Sequence, residues 1–67
     1  MEASDRLAHL LPHWMEHNEG HIAQLLEWAG KARAEGMGEV AEAIEAAAAA
    51  MGEAKAKLTE AAERLGR

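Results

Sequence analysis

One break divides the chain into two long helix-favouring segments, and this feature most constrains how it can fold. Gly36-Met37-Gly38 is the clearest interruption in the sequence. Gly36 suits the left-handed position that ends many helices, and Gly38 can start the next one. Strong helix formers dominate both sides of the break, and no run alternates with the period of two expected of a strand. The sequence therefore predicts an all-α fold, an antiparallel helical hairpin.

We expect a single domain over residues 1–67. The first helix should run from about residue 5 to residue 35, the turn over residues 36–38, and the second helix from about residue 39 to residue 65. Pro12 lacks the backbone donor that an α-helix needs, and its ring would clash with the carbonyl of Ala8, so we expect a kink or a restart near it.

Apolar residues recur every seven positions in both segments, as in helices that pack along a seam. In the second helix the large members are Met37, Ile44, Met51, Leu58 and Leu65, with alanines between them. In the first helix the matching seam is predicted to be Leu7, Leu11, Trp14, Asn18, His21, Leu25, Trp28 and Ala32. This assignment places both tryptophans in the core. One apolar side of each helix stays uncovered, so we expect a homodimer that forms a four-helix bundle.

Composition excludes several classes of protein. The 67 residues carry 7 Lys and Arg against 12 Asp and Glu, for a formal charge of −5, and include no Cys. A disulfide framework and a thiolate metal site are therefore ruled out. The acidic balance argues against a nucleic-acid partner. No apolar run approaches a membrane span and the first residues do not read as a signal peptide, so we predict no membrane partner and a cytoplasmic location.

A regular series of histidines carries the chemistry of this sequence. His9, His13, His17 and His21 are spaced by four residues, which places neighbours on one helix face. Two imidazoles one turn apart can bind one metal ion. A helical wheel predicts His21 inside the apolar face, His17 at its edge, His13 further out and His9 nearly opposite. We therefore predict a metal site at His17 and His21, with His13 assisting.

The predicted ligand is a divalent transition metal, either zinc, nickel or copper, held for storage, delivery or sensing. A second protomer is the natural source of further ligands, and a separate protein could donate or accept the metal. Asn18 could orient an imidazole, while Glu16 and Glu19 suit positions at the rim. Binding needs neutral imidazoles and should weaken below about pH 6.

Other interpretations remain open. The alternative is a non-catalytic structural or interaction module that forms a homo-oligomeric bundle, with the histidines serving packing or pH sensing. The segment His13-Trp14-Met15-Glu16-His17 also fits the H-x-x-E-H pattern of some zinc peptidases. That match has only three fixed residues, and no nucleophile or cleft is visible, so we predict that the protein is not an enzyme.

The stretch from Leu10 to His21 resembles the H-W-x-x-H-N-x-x-H signature of a family of small, uncharacterised prokaryotic helical-hairpin proteins. Trp28-Ala29 and Val40-Ala41 match pairs that follow the signature in that family. The resemblance implies a metal-related role but no defined activity. It marks a signature set that leaves His9 outside, made up of His13, Trp14, His17, Asn18 and His21.

Overall fold

The computed structural model describes residues 2–66, and these form two helices that pack against each other. Helix α1 spans Glu2–Ala34 and helix α2 spans Gly38–Leu65. The predicted all-α hairpin is therefore confirmed. Met1 and Arg67, which belong to the predicted domain, lie outside the described residues.

The reversal between the helices is a Schellman motif. Gly36 has a φ of 84°, in the left-handed region where a side chain would be strained. The amide of Met37 donates to the carbonyl of Ala32 at 2.9 Å, and the amide of Gly36 donates to Arg33 at 3.1 Å. These two bonds satisfy carbonyls at the end of α1. The turn is short, so it holds the two helices close together where they meet.

Helix α1 begins earlier than predicted and runs through Pro12 as one element. The sequence predicts a kink or a restart near Pro12; the continuous helix contradicts the restart, and the kink stays a prediction. Proline removes one hydrogen bond to the carbonyl of Ala8, and both residues are exposed. Water can satisfy that carbonyl, which lowers the cost of the missing donor.

The core of the hairpin is small. Its buried apolar residues are Leu11, Ala29, Ala32, Ala41 and Ala48. Three of them cluster beside the turn, and Ile44 packs against that cluster. Among residues 2–66 no large side chain is fully buried. Alanine lets two helices approach closely but contributes little apolar area.

The seam of α2 follows the predicted repeat. Ile44, Met51, Leu58 and Leu65 are half-buried, and Ala41 and Ala48, each three residues before a large member of the row, are buried. Met37 departs from the prediction, since it precedes α2 and is 44% exposed.

The seam of α1 differs from the prediction at three of its eight positions. Trp14, His21 and Trp28 were expected to face α2, but all three are exposed. The inward positions belong instead to the residues that follow them, Met15, Ile22 and Ala29. Near the turn the helices are too close for an indole between them, because Ala29, Ala32 and Ala41 are 7% exposed or less.

Candidate metal centre

The four histidines line the outer surface of α1. His9, His13, His17 and His21 are all exposed in the hairpin. The prediction that His21 belongs to the seam that packs against α2 is therefore wrong. The seam passes through Ile22, one residue later, and this turns His21 to the flank of the contact between helices.

Two of the histidines converge. The Nε2 atoms of His17 and His21 are 3.0 Å apart, and their rings meet edge to face with centroids 4.5 Å apart. Two imidazole nitrogens bound to one zinc ion at their usual bond length are about 2.9–3.4 Å apart for ligand angles near 90–110°. The pair therefore already has the separation of two ligands on a common ion.

The ring of His13 is further from the ring of His17 than the ring of His21 is. Its ring stacks beside that of His17 with centroids 6.1 Å apart and an angle of 19° between planes. The His13 ring lines the same open groove as the pair, so it can approach an ion from the rim.

Two residues that the sequence analysis did not identify, Gly20 and Gln24, also line the groove beside the pair. It is lined by His13, Glu16, His17, Gly20, His21 and Gln24. A Cβ atom added at Gly20 would meet no atom within 4 Å, so the missing side chain leaves open space next to both imidazoles. The position of Gly20 between His17 and His21 is the signal that could have identified it. Glu16 supplies a carboxylate that lines this groove, and its role at the rim of a metal site stays a prediction.

Two polar residues expected near the metal are committed elsewhere. Asn18 donates its amide Nδ2–H to the carbonyl of Met51 at 2.7 Å, which links α1 to α2. Glu19 forms an ion pair with Lys55 on α2. The predicted roles of Asn18 in orienting an imidazole and of Glu19 at the rim are therefore not seen.

One hairpin does not assemble a complete ligand set. Within residues 2–66, no group of three or more His, Asp or Glu side chains comes together in a way that could hold a metal ion. A tetrahedral zinc site needs four ligands, of which the pair supplies two. The others would have to be water or groups from outside this hairpin.

The two tryptophans lie on the surface of α1. Trp14 is 42% exposed and Trp28 is 58% exposed, so the predicted core role of both is wrong for this hairpin. The ammonium of Lys31 sits 4.3 Å from the centre of the Trp28 ring, a cation–π contact at an exposed site. Both indoles therefore add apolar area to the exposed surface of α1.

Comparison with protein-family models gives one match, to a domain of unknown function, DUF8180, over residues 7–65. The chain belongs to the DUF8180 family. The match covers both helices and the turn, which agrees with the resemblance to an uncharacterised family. It does not bear on the H-W-x-x-H-N-x-x-H signature, and DUF8180 brings no activity with it.

Searches of curated proteins and of solved structures found no match to this DUF8180 chain. Over the described residues, neither helix has an apolar stretch that could cross a bilayer.

Proposed function

We propose that this hairpin is a small metal-binding module of the cytoplasm. It holds a divalent transition metal, either zinc, nickel or copper, through His17 and His21, with His13 assisting. Its task would be storage, delivery or sensing of the metal rather than catalysis. The observation that carries the proposal is the 3.0 Å separation between the Nε2 atoms of His17 and His21.

The histidine pair has no evident structural task. Both rings are exposed, so a hydrogen bond between them would compete with water and add little to stability. The hairpin is instead held by its seam, by the Asn18–Met51 bond and by ion pairs between the helices. A site that contributes little to folding but aligns two imidazole nitrogen donors is well suited to a transition metal.

The groove suits an ion that exchanges. It is open, and Gly20 leaves room beside the imidazoles for water or for an incoming ligand. In a single hairpin the pair supplies two ligands and leaves the other positions of a tetrahedral ion to water or to groups from a second copy of the chain. Storage or delivery can use these positions when the ion is loaded or released.

The test is metal binding by the untagged protein, measured by calorimetry and by competition with a chromogenic chelator. We expect the double variant His17→Ala/His21→Ala to lose at least about tenfold in affinity for zinc, nickel and copper. His13→Ala should have a smaller effect, because its ring is further from the pair.

His9→Ala is the matched control. It removes an imidazole of the same series on the same helix, one that does not line the groove. Its affinity should equal that of the unchanged protein. Equal affinities for the double variant and the His9 variant would refute metal binding by this pair.

We further propose that the protein works as a homodimer in which two hairpins form a four-helix bundle. The supporting observations are the small, alanine-rich core and the exposure of Trp14 and Trp28. Domains of this size that lack disulfides usually need an additional source of stability, and oligomerisation provides one.

A second candidate function is a structural or interaction module that forms a bundle, with the histidines serving packing or pH sensing. The exposed tryptophans favour it, because they can bury against a partner whether or not a metal is present. This candidate predicts that the double histidine variant loses dimer stability while metal has no effect on the unchanged protein.

A further inference from the structure

On one side of the hairpin, each helix contributes a row of residues that contains no Asp, Glu, Lys or Arg. On α1 a row with a spacing of seven contains Leu7, Trp14, His21 and Trp28, and on α2 a second row contains Val40, Ala47, Ala54 and Ala61. We call these eight residues the apolar face. All of them except Leu7 are exposed, and Trp14, Trp28 and Val40 are 42%, 58% and 50% exposed.

Ion pairs between the helices show that the two rows share a side. Arg33 of α1 bonds Glu45 of α2 at 2.8 Å, which marks one flank of the seam. On a helical wheel, the row of Arg33 and the row of Trp28 lie on opposite flanks of the seam of α1. The same wheel puts the row of Val40 opposite that of Glu45 on α2. The apolar face is therefore the flank opposite the ion pairs.

The side of the hairpin that carries the apolar face is close in size to one partner's share of a stable contact. The Cα atoms span 52 × 14 × 12 Å, so one side of the hairpin presents roughly 700 Å² before side chains are counted, against about 800 Å² per partner in stable complexes. Its composition also suits a second copy of the same chain. Because the face carries no acidic or basic residue, its contact with a second copy places no like charges against each other, although each molecule has a formal charge of −5.

His21 lies in the apolar face and His17 lies at its edge, and both are near the middle of the length of the hairpin. His21 belongs to the row, and His17 lies one turn before it. The bond from Asn18 to Met51 joins the midpoints of α1, Glu2–Ala34, and α2, Gly38–Leu65. The histidine pair is thus at half height. A two-fold axis that crosses the helices at this height would bring the pair of one copy onto the pair of the other.

The shortage of ligands points to the same arrangement. One hairpin offers two converged imidazoles, and within residues 2–66 no third His, Asp or Glu completes a group that could hold a metal ion. Two such pairs would supply four nitrogen ligands, the number that zinc prefers.

We propose that two copies pack through their apolar faces about a two-fold axis perpendicular to the helices and share one metal ion between their two His17–His21 pairs. This proposal rests on the proposed function. It makes α1 antiparallel to α1 of the partner subunit. An axis at the level of residue 19 places Leu10 opposite Trp28 of the partner subunit, and both side chains are exposed in the single hairpin, at 38% and 58%.

The experiment compares two glutamate variants by sedimentation velocity and native mass spectrometry, with zinc and with a chelator. Trp28→Glu places a charge in the apolar face. Leu26→Glu is the matched control, since Leu26 is 52% exposed on the same helix but lies on the flank of the ion pairs. Circular dichroism confirms that each variant keeps its helices.

We expect the unchanged protein and Leu26→Glu to be dimers that bind one zinc ion per two chains. Trp28→Glu should be monomeric with and without zinc, and its zinc affinity should fall by roughly a hundredfold, because the second pair no longer acts at high effective concentration. The His17→Ala/His21→Ala variant should lose the ion.

Two results would overturn the shared site in distinguishable ways. One zinc ion per chain, held equally well by Trp28→Glu, would overturn sharing and leave the proposed function intact. A dimer that Trp28→Glu disrupts but that binds no zinc would overturn the proposed function and the shared site together. Dimerisation unaffected by Trp28→Glu, or abolished by Leu26→Glu, would overturn the assignment of the apolar face.

Discussion

Asn18 acts on the stability of the hairpin rather than on the histidine pair. It is adjacent in sequence to His17, yet its amide reaches across the seam to the carbonyl of Met51. A polar residue in an apolar seam costs free energy unless it is hydrogen-bonded, and it favours the register in which that bond forms. Asn18 therefore holds the midpoints of the two helices together rather than shaping the imidazoles.

We expect Asn18→Ala to lower the free energy of unfolding by about 1 kcal/mol, the net value of a partly buried hydrogen bond. Zinc affinity should stay unchanged, because the amide does not touch the histidine pair. Urea unfolding and zinc titration measure the two quantities. Gln24→Ala, an exposed amide on the same helix, serves as the stability control and should unfold like the unchanged protein. A lower zinc affinity without any loss of stability would assign Asn18 to the metal site instead.

The sequence predicted the seam of α2 better than it predicted the seam of α1. On the surface of α2, the row of large residues is flanked mainly by alanines. Only this row could form the seam, and the structure follows it. In α1 two neighbouring rows were both apolar. Trp14 and Trp28 compete there with Met15, Ile22 and Ala29, and hydrophobicity alone does not separate the rows. Close approach of the helices near the turn selects the smaller residues, and this is a property of the pair of helices rather than of either sequence.

The same reason decides how much of the site could be predicted. The spacing of the histidines predicts that His17 and His21 are neighbours on one face, and the structure brings their rings together. It could not predict their exposure, because the position of His21 relative to α2 depends on which row forms the seam. The links of Asn18 and Glu19 to α2 were missed because a contact between helices depends on their relative height and rotation.

Replacing Gly36 and replacing Gly30 should change the stability of the hairpin in opposite directions. Gly36→Ala should destabilise the hairpin by about 1–2 kcal/mol, because its φ of 84° strains any residue with a Cβ atom. Gly30→Ala should stabilise it by about 1 kcal/mol, because Gly30 lies inside α1 and an added Cβ meets no atom within 4 Å. Thermal unfolding followed by circular dichroism measures both. Equal effects of the two substitutions would contradict the Schellman turn.

The whole molecule is a thin rod with few buried large side chains. A single hairpin of this kind gains little from burial, while ordering each residue costs free energy. Much of its stability should therefore come from association, which makes stability depend on how much protein is present.

We expect the midpoint of thermal unfolding to rise by several degrees when the protein concentration increases about a hundredfold, a change worth about 2.7 kcal/mol for a two-chain unit. Circular dichroism in cells of different path length measures this shift in chelator, so that metal does not contribute. Trp28→Glu should unfold at the same temperature throughout the range. A midpoint that does not move for the unchanged protein would show that the hairpin folds alone.

The cluster of Ala29, Ala32 and Ala41 beside the turn has a consequence for the order of folding. These residues are the closest in sequence among those that meet across the hairpin, so bringing them together loses the least chain entropy. We expect the two arms to close first at the turn and then progressively toward Leu11 and Leu58. Contacts at the far end would form after the rate-limiting step and govern how fast the chain opens. Because His17 and His21 lie one turn apart on α1, their alignment requires α1 to be helical but does not require the hairpin to be closed.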